Sequence, residues 1–196
     1  MKFGLMLALV LLVAACAKEE GKTTELERTI IGSWMICENL VTPNDGIEVS
    51  DGWYYIFGDE LLEYYQVGYQ GFGCNAGNES RLTNSAIMRY TLTPVDETSD
   101  VKTLNTITER VFMTPHSQSD VEVLSAEYDL HFEINVKTEI PIGLTGLYQY
   151  HEHGEEKTDL VQQEGDTLYL GERFDSNGNY IFDPVEINYD RTFIRI

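Results

Sequence analysis

The sequence predicts an all-β protein, an antiparallel β-barrel or barrel-like meander with a short N-terminal helix. Three observations lead there. Short runs rich in Tyr, Phe, Trp, Ile and Val recur between turns built on Gly, Asn, Asp and Pro. Residues 128–136 alternate apolar and polar side chains with period two, the pattern of a half-buried antiparallel strand. No long segment carries an apolar stripe at the 3.6-residue period of a helix.

The elements follow in order. Lys2 precedes an almost wholly apolar run, residues 3–13, that ends in small residues. That is the layout of a secretory signal, too short to cross about 30 Å of hydrocarbon as a finished helix. Residues 1–15 are therefore expected to be removed, leaving 181 residues. Residues 16–23 are small and charged and read as a flexible tether. Thr24 with Glu27 fits a capping box, and Leu26, Ile30 and Ile31 share a helical face, so a short helix is expected to end at Gly32. From there residues 24–196 read as one domain.

Residues 53–57 are aromatic and β-branched, and Gly58-Asp59 turns them into 60–68, a hairpin signal. Residues 70–80 form a glycine-rich loop. Residues 86–92 make a strand closed by Pro94, and 93–127 run longer than a lean barrel needs. The alternating stretch 128–136 puts Tyr128, Leu130, Phe132, Ile134 and Val136 on one face and Asp129, His131, Glu133 and Asn135 on the other. Strands at 147–153, 158–163, 167–170 and 191–196 complete the pattern, with a turn at Glu164-Gly165-Asp166. Asp175 to Asn179 has calcium-like residues, but its glycine falls too early for an EF-hand, and a tight turn is the better reading.

Charge bounds the partners. The chain has 13 Lys+Arg against 33 Asp+Glu, a formal −20; loss of Lys2 with the signal makes it −21. Such a surface repels nucleic acid, keeps a protein soluble, and suits a cationic partner. If Cys16 is set aside, Cys37 and Cys74 remain, in a chain addressed to an oxidising compartment. A disulfide between them is expected, closing a loop worth roughly 3–4 kcal/mol on the chain-entropy model.

Val13-Ala14-Ala15-Cys16 resembles the lipobox of bacterial lipoproteins. The resemblance implies cleavage before Cys16, diacylglycerol on its sulfur and usually a further acyl chain such as palmitate, hence anchoring in a bilayer of the cell envelope. Ala17 in place of Asp implies the outer membrane, facing the periplasm. Gly32-Ser33-Trp34, opening the first strand, together with an arginine-bearing last strand, resembles the lipocalin-like proteins of bacteria. In that family a tryptophan plugs one barrel end beneath an arginine; here the residues would be Trp34 and either Arg191 or Arg195. A guanidinium over an indole face contributes about 0.5–2 kcal/mol.

These readings give two candidate functions. The first is a non-catalytic binding module that holds a small hydrophobic or amphipathic ligand, with Tyr54, Ile56, Leu130, Phe132 and Ile134 as candidate lining. The second is an acidic interaction or inhibitor protein for a cationic envelope partner. His151 and His153 lie two apart, on one face if the segment is a strand, and are weak candidate metal ligands, with His131 a distant third. No nucleophile motif, phosphate loop, dinucleotide fingerprint or HExxH is present, so neither an enzyme nor a resident cofactor is indicated.

Overall fold

The hairpin expected around Gly58-Asp59 is present and sets the pattern for the whole molecule. The computed structural model describes residues 30–41, 46–75, 77–79, 82–146, 149, 151–173 and 184–196. Five strands, β1 (Gly32–Val41), β2 (Glu48–Phe57), β3 (Leu61–Gln70), β4 (Thr83–Pro94) and β5 (Lys102–Thr114), run as an antiparallel meander. A connection holding helix α1 (Gln118–Tyr128) and the short β6 (Thr138–Ile140) follows. The meander then resumes with β7 (Glu156–Glu164), β8 (Thr167–Gly171) and β9 (Ile187–Arg195). β7 pairs with β5, and β9 returns to β1 through Trp34↔Arg195 and Met35↔Ile194. Eight strands thus close into a barrel, which removes exposed sheet edges.

Alternation decides what faces inward. On β2 the inward set is Trp53, Tyr55 and Phe57; on β3 it is Leu62 and Tyr64. These meet Trp34, Met88, Leu104, Val161, Leu168 and Phe193 in the main core. One end of the barrel is sealed. Trp34 is fully buried, its indole Nε1 donates to the Ile30 carbonyl at 2.8 Å, and the Arg195 guanidinium lies 5.3 Å above its ring. Arg195 also donates to the Ile31 carbonyl at 2.6 Å. Of the two candidate arginines, Arg195 is therefore the one that covers the tryptophan. Gly32 makes the approach possible: its φ is +141°, and a Cβ there would stand 3.0 Å from Arg195 Nη2.

Two smaller clusters lie beyond the main core. Cys37 and Cys74 form the expected disulfide, with Cα atoms 5.9 Å apart. It pins the glycine-rich loop against the outer wall, where Val67, Tyr69 and Cys74 pack with Met35, Tyr54 and Tyr65. Ser50, fully buried, secures the same loop by accepting from the Cys74 backbone N–H and donating to the Gly71 carbonyl. The other cluster joins Val111 and Met113 of β5 to Leu124 and Tyr128 of α1, with Phe132 and Ile140. A bulge lets β5 reach it. Met88 pairs with Thr108 and Ile87 with Arg110, so Glu109 is the extra residue. Before the bulge β5 pairs with β7, and after it with β6.

The strand expected over 128–136 is not formed. Tyr128 ends α1, Asp129 turns it off in the left-handed region at φ 53°, and Asn135 takes φ 62°. An extended strand cannot hold those angles. Leu130 and Phe132 still pack against α1, but Ile134 and Val136 are exposed. α1 itself has its start signal in Ser117-Gln118-Ser119-Asp120: Ser117 caps the Asp120 N–H, and the Asp120 carboxylate accepts from the Ser117 N–H.

Candidate binding cavity

Opposite the sealed end the barrel opens into a cavity of about 540 Å³, inside the roughly 300–1,000 Å³ span of small-molecule sites. One side is aromatic: Trp53 and Tyr55 of β2 and Tyr64 of β3. Tyr55 stands edge-on to Tyr64 and to Phe193, each at 5.3 Å between ring centres. The rings are fixed from below by the packed core, because inward positions of neighbouring strands lie side by side.

The rest of the lining is polar and arranged in opposite-charge pairs. Arg191 of β9 donates through Nε to Glu38 of β1 at 2.7 Å, and its guanidinium lies 4.6 Å over the Trp53 ring. Arg173 pairs with Asp159 of β7. Asp159 Oδ1 also accepts from the backbone N–H of Gly171 at 3.0 Å and of Leu160 at 2.7 Å. Burial pushes the Asp159 carboxyl above the usual range, against the pull of Arg173 and these donors.

A third group joins Lys157 of β7 to the connection that precedes it. The Lys157 ammonium lies 3.1 Å from Glu155 and 3.4 Å from His151 Nδ1. Burial, with Lys157 nearby, holds the His151 imidazole below its usual pKa, against the pull of Glu155. Burial disfavours the Glu155 carboxylate as well, but His151, Lys157 and the Glu152 N–H outweigh it and bring the group to about 2. The His151 ring meets Tyr64 edge-on at 4.8 Å, which ties this connection to the aromatic side. Three carboxylates (Glu38, Asp159, Glu172) and three cations (Lys157, Arg173, Arg191) line the cavity, and with Glu155 behind Lys157 the local formal charge is −1 in a chain of −20.

The residues expected to hold a ligand lie elsewhere. Tyr54 and Ile56 alternate with the inward set and face outward, where they line a shallow groove of about 350 Å³ with Tyr65, Val67 and Tyr69. Leu130 and Phe132 belong to the α1 cluster, and Ile134 is exposed. The reason is a choice of parity: residues 53–57 are large at both parities, so alternation could not say which set points in. The signal that was available is polar. Lys157 and Asp159, two apart on one strand, point inward beside Val161.

His151 and His153 share no strand face, because residues 151–153 are not in a strand. His151 lines the cavity, whereas His153 faces two backbone carbonyls, Glu109 at 3.0 Å and Ile140 at 2.6 Å. His131 pairs with Glu133 on the surface. Among the described residues no group of three or more His, Cys, Asp or Glu is placed to hold a metal ion. Cys16, the helix expected before Gly32 save its last residues, and the turn at 175–179 lie outside the described residues. No protein-family model and no curated protein matches this sequence.

Proposed function

We propose that this is a lipid-anchored, lipocalin-like envelope protein that takes a small amphipathic molecule into the open mouth of its barrel. The observation that carries the reading is the contrast between the two ends. At the sealed end Trp34, Phe57, Leu62, Leu168 and Phe193 leave almost no accessible surface. At the other, an aromatic and ion-paired cavity of about 540 Å³ remains. An eight-stranded barrel has room for one small ligand above such a floor. The filled floor argues against a long apolar tail, so the hydrophobic side of the ligand is confined to the aromatic wall.

Nuclear magnetic resonance with a mixture of small amphipathic compounds tests the site. Amide shifts should cluster at Trp53, Tyr55, Tyr64, Lys157 and Arg191. Shifts confined to Tyr54 and Ile56 on the outer wall, or none at all, would refute it. Anchoring is tested separately by Cys16→Ser. The variant should leave the membrane fraction or retain its signal, because two or three acyl chains at about 0.8 kcal/mol per buried CH₂ hold firmly and none cannot.

A further inference from the structure

The next question is which chemistry the mouth cavity selects, and the answer rests on that cavity being a ligand site. Its three cations are already engaged: Arg191 with Glu38, Arg173 with Asp159, Lys157 with Glu155. A charged ligand that took one member of a pair would leave the other without its partner, at greatest cost in the most buried pair, Arg173–Asp159. A saturated chain would do worse, covering these groups without offering any partner.

A hydroxyl group meets neither difficulty. It donates one hydrogen bond and accepts others, so it can sit between a carboxylate and a guanidinium without separating them. The amide of Gln66 and the NH₂ of Asn188, also in the lining, add further hydrogen-bonding groups, while Asn188 Oδ1 already accepts from the Asp190 and Arg191 N–H. Successive hydroxyls bridging such pairs would polarise one another and strengthen the set. Opposite these polar groups stand Trp53, Tyr55 and Tyr64, flat apolar surfaces suited to the C–H face of a pyranose ring. A local formal charge of −1 leaves little of the bias that a chain of −20 would otherwise impose on a charged ligand.

We infer that the cavity binds a neutral saccharide, its ring against the aromatic wall and its hydroxyls bridging the Glu38–Arg191 and Asp159–Arg173 pairs.

The purified full chain should be titrated with cellobiose, maltose and N,N′-diacetylchitobiose as neutral sugars. Glucuronate and glucosamine serve as charged counterparts, and oleate as an apolar probe. The two tryptophans localise the signal: Trp34 is fully buried under Arg195, while Trp53 lines the cavity. At least one neutral sugar should change the tryptophan fluorescence, bind tenfold or more tightly than either charged sugar, and lose its signal in Trp53→Phe. Calorimetry should show a tenfold or greater loss in Asp159→Asn and in Arg191→Met. If oleate or a charged sugar perturbs Trp53 while the neutral sugars do not, the saccharide assignment falls and the cavity stands. If no probe perturbs Trp53, both fall. A neutral-sugar signal that persists in Trp53→Phe places binding elsewhere and overturns the assignment.

Discussion

Replacing both Cys37 and Cys74 with Ala should destabilise the domain by nearly 4 kcal/mol. The two residues are 37 apart in sequence. On the chain-entropy model a loop of that length removes about 13 cal/mol/K from the unfolded ensemble, or about 3.8 kcal/mol at 25 °C. The native side of the balance should change little, because Ser50 still holds the loop by its bonds to Cys74 and Gly71. For a chain of this size each kcal/mol moves the melting temperature by about 2–4 °C, which gives a fall of about 8–15 °C. Calorimetry of the parent and the double variant, both under reducing-agent-free conditions, measures it directly. Hydrogen exchange adds a local readout: the amides of Gly73 and Cys74 should lose protection before those of β7 or β8. A melting temperature lowered by less than about 3 °C would show that the unfolded chain is already compact around this loop, and would refute the entropy argument.

Arg195→Met should cost about 1–2 kcal/mol in chemical denaturation, through loss of its contact with Trp34 and its bond to the Ile31 carbonyl. Arg191→Met, in the half-exposed pair with Glu38, should cost less; equal costs would mean that the two arginines do not divide sealing from lining. Gly32→Ala should lose about 1–3 kcal/mol because it forces a side chain into φ +141° and crowds Arg195; an unchanged denaturation midpoint would contradict that. The lowered pKa of His151 means that the unfolded chain takes up a proton below about pH 6.5 while the folded chain resists it. Stability should therefore fall as pH drops through that value, and His151→Gln should flatten this part of the profile; an identical slope in parent and variant would remove the argument.

The closing of the barrel was legible at its two ends because it depends on residues whose roles admit few substitutes. A tryptophan behind a glycine, an arginine in the last strand and a pair of cysteines each demand a specific neighbour, and the fold supplies all three. The hairpins at 53–68 and 158–170 were legible because their turns carry Gly58-Asp59 and Gly165-Asp166 between β-forming runs. Residues 128–136 misled because periodicity reports which side chains are apolar and says nothing about φ. Two residues in the left-handed region were enough to undo a nine-residue alternation. α1 was missed for the opposite reason: its buried face amounts to Leu124 and Tyr128, one turn apart, too little to register as a stripe, although Ser117 and Asp120 marked its start.

The cavity was hidden by an assumption about polarity. Reading apolar residues as interior assigns Ile56 and Ile134 to the inside, yet both are exposed, while Lys157, Asp159 and Arg191 line the barrel mouth. Charges can lie there because each finds an opposite charge on another element: β9 with β1, β7 with the segment after β8, and Lys157 with Glu155 in the approach to its own strand. Such pairs join residues as far apart as 38 and 191, a separation at which local pattern holds no information. Replacing the most buried pair, Arg173–Asp159, with apolar residues of similar volume would often be neutral or stabilising, and the other two, about a third exposed, contribute little. Six charged groups at the open end of an otherwise filled core are therefore hard to explain by stability alone. That is the support these groups lend to the ligand site proposed above.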